Sequence, residues 1–182
     1  MANNTAARVH LIRHATPDWS RKDIAYHIPP GPPLCEQGLM EARQLADFVK
    51  DLSITHFRSS PLERCLRTAT IAALSVRMEV TIEPALMEVQ PQENREDIVR
   101  RAAPILEQAY QHSLKHGAVA LVTHGGVIHS LLSWMGMSDA ELNRWKKFDH
   151  GNPVPPAGVW SVEKDTNGQW IMELIFTPLP VV

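Results

Sequence analysis

Two imidazoles, two guanidiniums and one carboxylate stand at places along this chain where local structure changes: Arg13-His14, Arg64, Glu88 and His124. Arginine matches phosphate oxygens with its planar fork. Imidazole can serve as nucleophile and as charge donor, and a carboxylate can give a proton and take it back. Together these residue types make a phosphoryl-transfer site. Each also has a plainer explanation. A histidine that ends a strand is more often structural or solvated, an arginine in a helix's first turn is usually a surface charge, and a pair such as Gly125-Gly126 is commonly a turn. Their joint placement is what lifts them above those explanations.

The elements that must place them follow from the apolar pattern. Arg8–Ile12 reads as a strand running into Arg13-His14, and residues 27–37, rich in Pro and Gly, as a loop. From Gly38, the positions Leu39, Ala42, Leu45, Ala46 and Val49 recur at helical spacing. Thr55–Arg58 is a short strand, Ser59-Ser60-Pro61 opens a helix carrying Arg64, and Val80–Ile82 is a weak strand before Glu88. A third helix carries Ile98, Ala102, Ile105, Leu106 and Ala109, with Pro104 as a kink. Ala118–Val122, wholly apolar, predicts a strand covered on both faces. It delivers Thr123-His124-Gly125-Gly126 to the next helix, marked by Val127, Leu131 and Trp134. A weaker helix spans Asp139–Lys146, and two strands, Val159–Glu163 and Trp170–Phe176, join through the hairpin signal Asn167-Gly168. Alternating strands and helices predict one domain over residues 1–182, a three-layer α/β/α sandwich with a mostly parallel central sheet. Ligands of such sheets collect beyond the carboxyl ends of the strands, where all the polar groups named above would meet.

Composition narrows the setting. The 182 residues are 44% hydrophobic and 21% charged, which excludes a disordered, collagen-like or coiled-coil chain. Lys+Arg 18 against Asp+Glu 20 gives no basic excess to advertise nucleic acid. Cys35 and Cys65 cannot build a disulfide framework, and neither begins a Cys-x5-Arg phosphatase loop, since Glu41 and Ile71 stand at the arginine positions. Both read as reduced packing residues. A polar amino terminus with no apolar h-region and no membrane-length run predicts a cytoplasmic protein with no membrane partner.

The stretch Leu11-Ile12-Arg13-His14-Ala15-Thr16-Pro17-Asp18-Trp19-Ser20, the motif Ser59-Ser60-Pro61-Leu62-Glu63-Arg64 with Arg67-Thr68-Ala69, the block Leu86-Met87-Glu88, and Val122-Thr123-His124-Gly125-Gly126-Val127-Ile128 occur in that order. In this they resemble the histidine phosphatase superfamily, which includes the cofactor-dependent phosphoglycerate mutases. Leu34 through Gly38 resembles a further family block, so the likeness runs from residue 8 to about 135. The resemblance implies His14 as the nucleophile that becomes phosphohistidine. Arg13, Arg64 and His124 would hold the phosphoryl oxygens, where positioning and electrostatics supply most of the catalysis. Gly125 and the helix beginning near Gly126 would add amide donors. Glu88 would protonate the leaving oxygen and then activate water, with Asp18 the substitute acid should Glu88 point elsewhere. No metal or other cofactor is implied.

Three departures shape the expected reaction. Ala15 replaces the family's usual Gly. Ser20 stands where mutases carry a phosphate-contacting Asn, keeping a shorter donor. After Glu88 the family's Gly-containing segment gives way to Val89-Gln90-Pro91-Gln92, and the covering insertion of mutases is missing. An unlidded site should let water reach the phosphoenzyme, so hydrolysis of a phosphorylated small molecule is expected. The alternatives are mutase-type transfer, dephosphorylation of a phosphoprotein, and phospho-ligand binding without turnover. His112 and His116 have the spacing of a metal pair but lack a zincin Glu and read as an exposed helix end. His27, Asp149, His150 and Asn152 belong to loops that could overhang the pocket and select substrate. The five Trp residues read as core packing. Oligomeric state is not legible.

Overall fold

A run of six residues with no polar side chain before its last, Ala118–Thr123, cannot face water on either side, and the fold is built around it. A computed structural model describes residues 7–180; the polar stretch over residues 1–6 lies outside the described residues. The strands are β1 (Val9–Arg13), β2 (Ile54–Ser59), β3 (Val80–Ile82), β4 (Ala118–Thr123), β5 (Val159–Lys164) and β6 (Trp170–Phe176). They form one sheet in the order β3-β2-β4-β1-β5-β6. β3, β2, β4 and β1 run parallel, whereas β5 is antiparallel to β1 and β6 to β5. β4 is buried along its whole length.

The helices are α1 (Glu36–Phe48), α2 (Glu63–Ser75), α3 (Arg95–His116), α4 (Gly125–Trp134) and α5 (Asp139–Trp145). Strand alternation divides the core in two. On one face Ile12, Ala120 and Val122 meet Ala42 and Leu45 of α1 and Cys65 and Ala69 of α2. On the other, Val9, Leu11, Val119 and Leu121 meet Leu106 and Ala109 of α3 and Ile128 and Leu131 of α4. This is the expected three-layer arrangement with a mostly parallel sheet.

Local chemistry moves several expected boundaries. α1 begins at Glu36 rather than Gly38 because the Cys35 sulfur accepts the Gly38 amide at 3.4 Å, an N-cap role that packing alone does not suggest. The cap position of α2 is Leu62, which offers no side-chain bond; the Ser60 hydroxyl accepts the Leu62 amide at 3.4 Å and also meets His124. α3 is one helix through Pro104, opened by a capping box between Asn94 and Asp97. The β5–β6 hairpin turns at Gly168, whose φ of +79° suits glycine, and the Asp165 carboxylate accepts the Asn167 and Gln169 amides. Among the described residues no helix is long and apolar enough to cross a membrane.

Candidate active site

Parallel pairing of β1 with β4 puts Arg13 opposite Thr123, so the next residues, His14 and His124, leave the sheet side by side. Their rings lie 5.2 Å apart, edge to face. The His14 amide donates to the Thr123 carbonyl at 2.9 Å and its carbonyl accepts from Ala157, which fixes the backbone from both flanks. His14 Nδ1 lies 2.8 Å from the Ala15 carbonyl. A carbonyl only accepts, so Nδ1 carries the proton and Nε2 keeps its lone pair. Burial, reinforced by the charges of His124, Arg64 and Arg13, holds the His14 imidazole well below its ordinary pKa and therefore neutral.

Arg64, in the first turn of α2, is fully buried rather than exposed as its position would suggest. Its Nη1 donates to the Tyr26 carbonyl at 3.0 Å and its Nη2 to Glu88 at 3.2 Å, with the Tyr26 ring 3.9 Å from the guanidinium carbon. Glu88 also lies 3.2 Å from His124 Nδ1, while His124 Nε2 meets the Ser60 hydroxyl at 2.9 Å. Burial would raise the Glu88 pKa, but the charge and hydrogen bond of His124 and the charge of Arg64 outweigh it and hold the carboxyl far below its usual range. Burial lowers His124, and Glu88 partly restores it. The Nε atoms of Arg13 and Arg64 are both buried without a partner. Two desolvated donors left open beside a neutral imidazole suit an anion.

His14, Glu88 and His124 offer ligand atoms within 4.8 Å of one another, close enough to share a small cation. Arg64, bonded to Glu88, sets a fixed positive charge against such an ion, and the same charge favours phosphate. His112 and His116 stand 4.6 Å apart ring to ring, with His56 beside His112 at 5.5 Å, but they do not form such a convergent group.

The expected groups do not all arrive. Arg13, His14, Arg64, Glu88 and His124 converge at the carboxyl ends of β1 and β4. Ser20 does not join them: it is exposed and its hydroxyl donates to Asp18 at 2.6 Å. Hydrogen bonds from Ser20 lower the Asp18 pKa, and the buried carboxyl that lies against His124 is Glu88. Gly125-Gly126 is more than a turn. A Cβ on Gly125 would lie 1.9 Å from the Asn152 side-chain oxygen, and one on Gly126 would lie 2.7 Å from Val89. His150 is exposed against Trp19, and the Gln90 side chain ties the His27 carbonyl to the segment after Glu88. Trp19 is 47% exposed and stacks on Tyr26 at 5.1 Å, so it belongs to the rim of the site and not to the core.

The site is also less open than the missing insertion suggested. His14 is 1% exposed and Arg13 3%. Cover comes from two other places, the Tyr26–His27 segment and the loop after α5, where Asp149 bonds Arg13. A cleft of about 330 Å³ lined by Thr16, Trp19, Glu41, Asp149 and His150 adjoins it. The larger hollow, about 590 Å³ between α5 and β6, shares no residue with this cluster.

Supporting residues escaped sequence reasoning. Arg101 of α3 donates to the Ala85 carbonyl at 2.6 Å while paired with Glu93, and Thr123 donates to the Leu86 carbonyl at 2.7 Å; together they pin the turn that presents Glu88. Glu41 of α1 accepts the Thr16 amide and hydroxyl, each at 2.8 Å, bracing the loop after His14. Glu41 is buried, and a charged residue at an apolar position of the α1 stripe was the signal available.

Comparison with known proteins agrees with this geometry. The probable phosphoglycerate mutase of Proteus mirabilis is 37% identical over 84 residues, 45% of this chain and 38% of that protein. The 2,3-bisphosphoglycerate-dependent phosphoglycerate mutase of Thermoplasma acidophilum is 34% identical over 79 residues, 43% of this chain and 40% of its own length. The matched segments thus span well under half of these curated relatives. Among solved structures, a mycobacterial glucosyl-3-phosphoglycerate phosphatase superposes with a TM-score of 0.72 at 18% identity, over 93% of this chain and 98% of the other. The phosphoglycerate mutase of Bacillus anthracis does so at 0.74 and 16%, over 93% and 92%. At these identities the likeness is one of fold. The model for the histidine phosphatase superfamily (branch 1) matches residues 9–92 and 89–175. A match that takes in both histidine segments and the strands that carry them leaves one assignment: this chain belongs to the histidine phosphatase superfamily.

Proposed function

We propose that the protein is a phosphatase that hydrolyses phosphate monoesters through a phosphohistidine on His14. The observation that carries this reading is a neutral, buried His14 with Nε2 free, flanked by two arginines whose Nε donors are buried and unpartnered. In the first step the Nε2 lone pair attacks phosphorus, the P–O bond to the alcohol breaks, and Glu88 gives its proton to the departing oxygen. In the second, water attacks phosphorus, Glu88 takes a water proton, and the P–N bond breaks, leaving inorganic phosphate and neutral His14. Arg13, Arg64, His124 and the amides at the start of α4 stabilise the charge on the phosphoryl oxygens in both steps. In the empty site Glu88 is ionised by the cations around it. A phosphate dianion takes over as their counter-ion and raises the proton affinity of Glu88, and the proton that Glu88 then takes up from solvent is the one it gives to the leaving oxygen.

Solved structures of similar fold include phosphatases as well as a mutase, so fold does not choose between hydrolysis and transfer. Two features favour hydrolysis of a small ester. Only Val89 through Asn94 separates Glu88 from α3, which leaves no insertion there to grip a second phosphate. The cover over His14 suits a small molecule better than a protein side chain. The test is a panel of sugar phosphates, phosphoglycerates, nucleotides and phosphoproteins, with the phosphoenzyme trapped by acid-free denaturation. Phosphate release, with label on His14, is the expected result. Folded protein that turns over none of them, or full activity in His14→Ala, would sink the reading. Phosphate moving between substrate positions faster than it is released would replace it with a mutase.

A further inference from the structure

The cluster that binds Arg13 contains a group the family roles leave unused. Asp149 lies in the turn after α5, and both its oxygens accept from Arg13: Oδ1 from Nη1 and Oδ2 from Nη2, the latter at 2.7 Å. The Val154 carbonyl takes a second Nη1 hydrogen at 3.0 Å. The Arg13 side chain is 4% exposed and that of Asp149 37%, so the pair is buried on the arginine's side and meets solvent on the aspartate's. A guanidinium has five N–H bonds in a rigid plane. Asp149 takes the two that point forward, and Val154 takes the remaining one on Nη1. What is left is the Nε–H and the neighbouring Nη2–H, side by side along one edge. That edge forms the two-pronged fork that grips tetrahedral oxyanions, and its Nε is buried without a partner.

The turn that holds Asp149 is itself tied down. The Asn152 amide nitrogens, backbone and side chain, donate to the Asp149 carbonyl at 3.2 and 2.8 Å. The Asn152 side-chain oxygen packs against the α carbon of Gly125, the space any side chain there would fill. Arg13 is therefore aimed by a strap that is seated on the start of α4, the same helix end that faces the phosphoryl group.

Resting on the phosphatase reading above, we propose that Asp149 is a positioning residue. It occupies the forward face of the Arg13 guanidinium so that only the Nε–Nη2 edge is presented to the phosphoryl oxygens beside His14. Its loss leaves Arg13 in place and charged but free to rotate, which weakens the grip on phosphate where the charge is greatest.

The experiment measures inorganic vanadate affinity by calorimetry, and turnover of an aryl phosphate, in wild type, Asp149→Ala, Asp149→Asn, Arg13→Ala and the double Ala variant. Asp149→Ala is expected to weaken vanadate binding and lower kcat/KM by about 10- to 100-fold, the range seen when an orienting outer partner is lost. Asp149→Asn, which keeps one acceptor, should recover part of that. In the Arg13→Ala background removal of Asp149 should change neither quantity by more than about twofold, a non-additivity that a general loss of folding would not produce. A twofold or smaller effect of Asp149→Ala in the wild-type background overturns the proposal, as does an equal loss with and without Arg13. Tighter vanadate binding by Asp149→Ala also overturns it, because Asp149 would then compete with phosphate. Vanadate binding that depends on Asp149, in a protein that turns over no ester, upholds the positioning role while removing the phosphatase reading. A wild type that binds no vanadate removes both.

Discussion

β1 carries one histidine in its middle and delivers another from its end, and the two have opposite fates. His10 and His14 are both about 1% exposed. His10 sits where neighbouring strands have spent their polar groups on each other, and neither of its ring nitrogens has a partner. Burial, with Arg8 adding to it, pushes its pKa down to about 4. His14 is equally dry, but one nitrogen is fixed by a carbonyl and the charges of Arg64 and Arg13 act on the ring. Burial alone makes an imidazole neutral. Only the strand's end, where loops and a helix start bring unpaired polar groups, gives it the surroundings that the proposed nucleophile needs. The body of the sheet and its carboxyl edge are different solvents for the same side chain.

Substitutions can sharpen or break that contrast. His14→Ala should lower turnover by about a thousandfold or more, since no other nucleophile replaces Nε2, with phosphate release and labelling of the protein as readouts. Glu88→Gln should cost about 10²- to 10⁴-fold in kcat. The loss should shrink for aryl esters, whose leaving oxygen needs no proton; an equal loss for alkyl and aryl esters would place Glu88 outside proton transfer.

His10 gives a prediction in stability instead of rate. Its folded pKa lies below that of the unfolded chain, so between pH 6.5 and 4 the unfolded state binds the extra proton and acidification favours unfolding. The contribution is fully present above pH 6.5 and falls by about 3 kcal/mol by pH 4. Denaturant midpoints of His10→Leu should be flatter than wild type across that window, with activity retained; parallel curves would mean that His10 is protonated in the fold. The smallest effect belongs to the edge's packing. Gly125→Ala should cost about 1–3 kcal/mol as the Asn152 side chain is displaced, and vanadate affinity should fall with it if the strap aims Arg13.

Legibility followed the same division. β4 was readable because the five apolar residues Ala118–Val122 admit no exposed face, and the β5–β6 hairpin because Asn167-Gly168 supplies the turn's backbone. The histidines, arginines and Glu88 were readable because parallel strands must end together. Ser20 was misplaced because its hydroxyl is satisfied locally by Asp18, a bond with no periodic signature. Cys35 as a cap and Trp19 as rim depend on backbone angles and on what the loop packs against. The overhanging loops were legible as loops near the pocket, at His27 and at 149–152, but not as its cover, because the contacts that close them over His14 join positions far apart in the chain. Asp149 stood out only as a loop residue, since its bond to Arg13 joins positions 136 apart.

That separation has a consequence for the order in which the molecule acquires its properties during synthesis. His14 emerges from the ribosome with β1, and His124 more than a hundred residues later. Arg13 is not held until residues 149 and 154 have followed. A nascent chain therefore carries His14 beside an Arg13 that has no partner until the segment 149–154 has been made.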